Sequence, residues 1–245
     1  MKNIRAIILA AGRGSRMKNL TDDNPKCLVK LHNKALLHYQ LESILDAGIS
    51  AENIAIISGY QREKIQQQCN LFKCNEFHNE RWEQTNMVYS LSCAKSWLKD
   101  NICIVSYSDI FYEKSAVELL INDNSDLSLT YDKNWLNIWQ KRFENPLDDA
   151  ETFKLDNQNY LLEIGNKPKS FDDIQGQYMG LLKFTPTAWN YIENLRSNLP
   201  KNESDNMHMT GTLQRIILEN KLKIKALEYN GKWGEVDNEN DLNCY

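Results

Sequence analysis

The sequence predicts an α/β fold, a Rossmann-like and mostly parallel mixed sheet flanked by helices. Short apolar runs alternate with amphipathic segments through the first half, which is how β/α units around a largely parallel sheet read. A glycine-containing turn follows the first apolar run, and Ser108-Asp109 follows the run at 102–107, so both strands pass into sequence suited to loops. At 245 residues the chain suffices for one large core, and no internal repeat, low-complexity tract or linker divides it.

Residues 4–9 form the first strand. Over 36–47, apolar residues recur at Leu37, Leu41, Ile44 and Leu45 before Gly48, the spacing of an amphipathic helix closed by a glycine. Residues 53–58 are the next strand, 62–69 a weakly patterned helix, and 87–98 a firmer helix that Thr85 or Asn86 caps. A buried strand spans 102–107, a helix 113–121 and a strand 127–131. Periodicity weakens across 134–150, where two tryptophans sit among polar residues, and the stretch reads as a lobe over the site. Asp156-Asn157-Gln158-Asn159, lying between 152–155 and 160–164, marks a hairpin turn. A strand at 178–184, helices at 186–195 and 210–219, a strand at 222–227 and a helix beginning near Asn238 complete the chain. All of 1–245 reads as a single domain, with about 132–185 and 200–212 building the lobe on the acceptor side.

With 42% hydrophobic and 25% charged residues, the composition is that of an ordinary globular protein. A formal net charge of -4 gives no general attraction to polyanions, so nucleic acid is not an expected partner and a negative substrate must meet local positive groups. No segment approaches the ~20 apolar residues a bilayer span needs, so no membrane association is expected. Lys2 before an apolar run resembles a secretory signal, but Arg5 interrupts the run and Gly12-Arg13-Gly14 follows, as for a buried strand. The six cysteines form no C-x-x-C pair and the four histidines show no metal-ligand spacing, so reduced thiols in the cytoplasm are expected. The expected assembly is a monomer or a homodimer.

The segment Leu9-Ala10-Ala11-Gly12-Arg13-Gly14-Ser15-Arg16-Met17, followed by Pro25-Lys26, carries the most chemistry. Gly12 and Gly14 let backbone N–H groups approach phosphate oxygens, while Arg13, Arg16 and Lys26 supply positive charge. There is neither a third glycine for G-x-G-x-x-G nor a G-K-[ST], so neither a dinucleotide fingerprint nor a P-loop is satisfied. A bare G-x-G is more often a tight strand exit; two arginines and a Pro-Lys favour a triphosphate cradle. Asp109 sits at the carboxyl edge of its strand, where open α/β sheets bind ligands, and Trp233-Gly234-Glu235-Val236-Asp237 lies near the end. Mg2+ takes a few carboxylates plus phosphates and water, so Asp109 and Asp237 could share one ion, although Asp237 also suits a helix cap.

These residues resemble the nucleotidylyltransferases that activate sugar phosphates and small phosphorylated alcohols, whose hallmark is L-A-A-G-x-G-[ST]-R-[LM] followed by P-K. The resemblance implies a GT-A-like nucleotidyltransferase fold, with Leu9, Ala10, Ala11, Gly12, Arg13, Gly14, Ser15 and Arg16 around the nucleotide. It implies catalytic roles for Lys26, Arg16 and Asp109, and Mg2+ on Asp109 and Asp237 with Glu235 as a further ligand. Ser58-Gly59-Tyr60 ends a strand beside the nucleotide and brings Gly59 toward the base, or is only a turn. Asn86-Met87-Val88-Tyr89-Ser90 resembles the N-x-x-Y-S stretch of small cytidylyltransferases, which favours CTP with Asn86 and Ser90 near it, although Asn86 equally reads as a plain cap.

For the phosphorylated acceptor, Tyr131, Trp135, Trp139, Arg142, Lys154 and Tyr178 are candidates. Aromatics could box a quaternary ammonium, or Arg142 could hold a carboxylate and Lys154 the acceptor phosphate. Core packing explains the tryptophans as well. The alternatives are a sugar 1-phosphate with UTP or dTTP and, from another class, a glycosyltransferase. The latter would use D-x-D, whereas Ser108-Asp109-Ile110-Phe111 has one aspartate.

Overall fold

The computed structural model describes residues 4–245, and Lys2 lies outside the described residues. Strand β1 (Ile4–Ala10) turns Ala6, Ile8 and Ala10 to one apolar cluster and Ile7 and Leu9 to another, so helices cover both its faces. The small ribbon β2 (Lys30–Leu31) and β3 (Lys34–Ala35) turns at His32 and Asn33, both at positive φ. Helix α1 (Leu36–Asp46) buries Leu37, Leu41 and Ile44, each fully, which at about 1.5–3 kcal/mol per side chain anchors it under the sheet.

Next come β4 (Ile54–Ser58), α2 (Arg62–Phe72) and β5 (Asn75–His78), the last a polar edge strand that its sequence does not announce. The helix expected over 87–98 is two, α3 (Met87–Ser92) and α4 (Lys95–Asp100). Ala94, at φ -93 and ψ 21, breaks it so that Leu91 and Leu98 both reach the core. Then follow β6 (Ile102–Tyr107), β7 (Ile110–Tyr112), α5 (Lys114–Asn122) and β8 (Leu127–Asp132). Where periodicity looked weak there is a helix, α6 (Leu136–Arg142), preceded by Trp135. Trp135, Trp139 and Arg142 share its buried side, and the two indoles hide its helical repeat among polar neighbours.

The hairpin is β9 (Phe153–Leu155) with β10 (Leu161–Ile164), paired antiparallel as expected. β11 (Gln177–Phe184), α7 (Pro186–Ser197), α8 (Lys201–Asp205), α9 (Met209–Glu219), β12 (Ile224–Glu228) and β13 (Trp233–Glu235) complete the order. The terminal helix is a 3-10 segment, Glu239–Asn243.

Seven strands make the main sheet in the order β12-β8-β11-β6-β1-β4-β5. β11 alone runs antiparallel to its neighbours, so its first residues lie at the edge where β6 and β8 end. This corrects the lobe boundaries: Gln177–Phe184 belongs to the central sheet, and only its start faces the site. No helix among the described residues is long and apolar enough to cross a membrane.

Candidate active site

Asp109 and Asp237 meet because β7 and β13 pair antiparallel with Ile110 opposite Glu235, a ladder extended by Val236 N–H donating to the Asp109 carbonyl at 2.8 Å. The turn bearing Asp109 is pinned from below. Gln40 of α1, wholly buried, donates its amide to the carbonyls of Tyr107 at 2.8 Å and Ile110 at 2.5 Å. On the other side Asn238, not Asp237, caps the last turn through a capping box with Asp241. That leaves the Asp237 carboxylate to face the strand ends.

Lys26 stands between the two acids, its Nζ donating to Asp109 Oδ2 at 2.7 Å and Asp237 Oδ1 at 2.5 Å. Arg16 reaches Asp237 Oδ1 at 2.9 Å while most of its side chain stays exposed. Burial pulls the Lys26 ammonium down, but Asp109 and Asp237 outweigh it and hold its pKa above the ordinary lysine value. Burial works to raise Asp237, yet Lys26 first and then Arg16 and Arg142 hold its pKa below the usual carboxylate value. Glu235 moves the other way, pushed up by burial and by Asp237 beside it.

Asp109, Glu235 and Asp237 each offer an oxygen within 4.8 Å of the others. Asp109 Oδ1 is buried without a hydrogen-bond partner, the state expected of an oxygen that a cation would satisfy. The donor set is all oxygen and suits Mg2+.

Gly14, in the left-handed region at φ +72, lies against Lys26: a β-carbon there would come within 2.6 Å of Lys26 Cβ. Gly14→Ala is therefore expected to displace the ammonium and lower kcat by about 10²-fold, the scale of a 1 Å misplacement. The backbone strain itself costs only about 1 kcal/mol. Turnover near wild type would show that this contact does not matter.

Two cavities open from the carboxylate cluster, of about 240 and 250 Å³, and Arg16, Met87 and Tyr107 line both. The first is walled by Leu9, Ala11, Gly12, Gly14, Lys26, Asn86, Ser90 and Asp109, all expected near the nucleotide or the reaction. The second is walled by Trp139, Tyr178, Glu235 and Asp237 among the expected residues.

Other expected residues fall elsewhere. Ala10 points into the core because strand alternation turns it from the cavity that Leu9 and Ala11 line. Arg13 pairs with Asp22 at 3.0 Å and lies over the Tyr60 ring, and Ser15 is exposed at the start of a 3-10 segment. Gly59 lines neither cavity; a β-carbon there would strike the Ala11 carbonyl at 2.5 Å and Trp82 at 2.6 Å, so it lets those two walls of the first cavity pack close.

Two acceptor assignments are corrected. The Arg142 side chain is fully buried, donating to Glu235 at 2.9 Å, Asp237 at 3.4 Å and Asp241 at 3.0 Å, so it orients acids and has no face for substrate. Lys154 pairs with Asp173 at 2.9 Å and Glu163 at 3.5 Å on the hairpin surface, outside both cavities. Trp135 and Tyr131 are core residues.

Sequence reasoning missed Trp82 and Thr85 in the first cavity, and Asp149, Glu151, Gln177, His208 and Thr210 in the second. A signal existed for two of these. Asp148-Asp149-Ala150-Glu151 is an acidic run beside the tryptophans, with Ala150 buried between two half-buried acids.

Residues 6–147 match the model of the MobA-like NTP transferase domain. The chain is 40% identical to the CTP:phosphoglutamine cytidylyltransferase of Campylobacter jejuni, over 98% of each chain. It is 33% identical to the choline-phosphate cytidylyltransferase of Haemophilus influenzae over 46% of each. Among solved structures, the CTP:phosphocholine cytidylyltransferase from Streptococcus pneumoniae superposes with a TM-score of 0.74 at 22% identity, covering 98% of this chain and 96% of that one. The inositol-1-phosphate CTP transferase from T. maritima gives 0.77 at 17% identity, covering 98% and 91%. At such identities those two show a shared fold, the expected nucleotidyltransferase sheet. On the family match and the full-length relative, the chain belongs to the MobA-like NTP transferase family and is a nucleotidyltransferase.

Proposed function

We propose that this enzyme transfers CMP from CTP to the phosphate of a small phosphorylated metabolite, phosphoglutamine-like or phosphocholine-like, and releases pyrophosphate by direct in-line displacement. One observation carries the reading. Lys26, Arg16, Asp109 and Asp237 converge where a cavity suited to a nucleotide joins a second one of similar size. Two phosphates brought from opposite sides would meet there.

CTP is favoured because two relatives, one of them full-length, are named as cytidylyltransferases. Asn86 and Ser90 line the first cavity, and Ser90 takes a hydrogen bond from the Asn79 amide at 3.0 Å, which fixes its hydroxyl beside the nucleotide base in this reading.

An acceptor phosphate has its second pKa near ~6 and is already largely an anionic nucleophile at neutral pH, so no general base is required. The protein's part is alignment and charge. Gly12 and Gly14 admit the triphosphate to the backbone, Arg16 stands between the two phosphates, and Lys26 holds its ammonium where charge grows as pyrophosphate leaves. Asp109, Asp237 and Glu235 would hold Mg2+, which when bound neutralises the triphosphate. All six cysteines are free thiols, which supports a reducing, cytoplasmic setting.

The test is pyrophosphate release with Mg2+, each of four nucleoside triphosphates, and a panel of phosphocholine, phosphorylated amino acids and sugar 1-phosphates. CTP with one of the first two classes is the expected pair. UTP or dTTP with a sugar 1-phosphate would replace the reading, release of nucleoside diphosphate would make it a glycosyltransferase, and an isolated covalent nucleotidyl-enzyme would contradict direct displacement.

A further inference from the structure

We propose that the acceptor carries, away from its phosphate, a primary ammonium group received by Asp149 and Glu151 in the second cavity. The proposal rests on the cytidylyltransferase reading above and names the class of its second substrate.

The charges around the cavity single out these two acids. Glu235 and Asp237 also line it, but Arg142 holds both and Lys26 holds Asp237. Among the described residues, Asp149 and Glu151 have no lysine or arginine at ion-pair distance. Asp149 Oδ2 accepts only the Trp139 indole N–H at 3.1 Å, and Glu151 Oε1 only the Thr210 hydroxyl at 3.5 Å. A carboxylate withdrawn from water without a cation is costly, and the missing cation is what a ligand could bring. Burial pushes both acids' pKa values up; at Asp149 it prevails over the attraction of Arg142 and Arg16, neither of which forms an ion pair with it, and at Glu151 the neighbouring Asp149 adds to it. Among the described residues, Arg16 is the one arginine or lysine lining this cavity, His208 being its other basic side chain, and Arg16 also lines the nucleotide side. An acceptor with its phosphate at Arg16 therefore has its other end among acids.

Tyr178 lines the same cavity, but its hydroxyl is shut off from water and turned to Tyr107, so the polar groups left to a ligand here are the two acids.

The rings argue for a primary amine over a quaternary one. Trp139 is 3% exposed, with the Arg142 guanidinium 5.1 Å from its ring and Trp135 and Trp233 against it. Tyr107 and Tyr178 stand edge to face at 5.6 Å, so they do not wall a cage. Carboxylates accept N–H groups, which a trimethylammonium lacks, and without an aromatic box it gains little here.

The experiment pairs acceptors that differ only in the amine: L-glutamine phosphate, phosphoethanolamine and O-phospho-L-serine, each against its N-acetyl counterpart, with phosphocholine and glucose 1-phosphate alongside. Pyrophosphate release with CTP and Mg2+ is measured on the wild-type enzyme. At least one free amine should exceed its acetylated partner by about tenfold or more in kcat/KM, mainly through KM, and should exceed phosphocholine. Asp149→Asn with Glu151→Gln should bring that ratio close to one. Equal use of an amine and its N-acetyl form by the wild-type enzyme would overturn the ammonium subsite and leave cytidylyl transfer standing. So would release confined to acceptors without an amine. No release with any acceptor would instead sink the reading on which the subsite rests.

Discussion

Replacing Lys26 with alanine is expected to lower kcat by about 10²- to 10³-fold, the range measured when one donor aimed at developing transition-state charge is removed. The size follows from position. Lys26 is 7% exposed, and its ammonium touches both Asp109 and Asp237 where the two cavities meet. Among the described residues no other lysine lines either cavity, and Arg16, largely exposed, shares Asp237 Oδ1 with Lys26. Loss of the ammonium also leaves Asp109, Glu235 and Asp237 crowded together with less positive charge among them. Without Mg2+ the variant should therefore melt below wild type, and Mg2+ should raise its melting temperature more than it raises that of wild type, because no ammonium competes for the oxygens. Single-turnover kinetics and thermal melts with and without Mg2+ check both halves. Turnover within tenfold of wild type would remove Lys26 from the chemistry, and equal stabilisation by Mg2+ would mean that the metal does not sit where the ammonium does.

The sheet was legible because its inner strands carry their own signature. β6 occupies the residues expected of it, 102–107, and β1 extends past expectation by one residue. A strand covered on both faces must be apolar throughout, and little else in a soluble chain reads that way. β5 escaped because Asn75 and Glu76 are tolerated at an edge, where one side of the strand meets water. The β7 and β13 ribbon escaped for another reason. Three residues are too few to show an alternating period, yet this ribbon brings Asp109 to Asp237. The loop walling the first cavity was readable because glycines, arginines and a Pro-Lys lie within one short stretch. The second cavity was not, since it is assembled from α6, the 149–151 turn, the start of β11 and the start of α9, which share no local pattern.

Arg142 shows most clearly what a linear reading misses, and its removal should have the largest effect on folding. A lone arginine in an irregular stretch reads as an exposed ligand for an anion. Here Trp139 and Phe143 pack their rings about 5.1 Å from its guanidinium, and the guanidinium is spent on three carboxylates from the last eleven residues. Burial alone would depress its pKa, but Glu235 and Asp241 outweigh it and hold it above the ordinary arginine value. Arg142→Ala leaves Asp241, wholly buried, without its cation, and removing one partner of a buried ion pair typically costs about 3–5 kcal/mol. Arg142→Lys should recover little, because one ammonium cannot reproduce the fork that spans Asp241 and Glu235 together. Both variants are expected to lower the denaturation midpoint markedly and to weaken the Mg2+ dependence of turnover, since Glu235 and Asp237 lose the group that orients them. A substrate-binding arginine would behave in the opposite way, raising the acceptor KM when removed and leaving the denaturation midpoint in place. Chemical denaturation alongside acceptor saturation curves separates the two, and an unchanged midpoint would return Arg142 to the acceptor site.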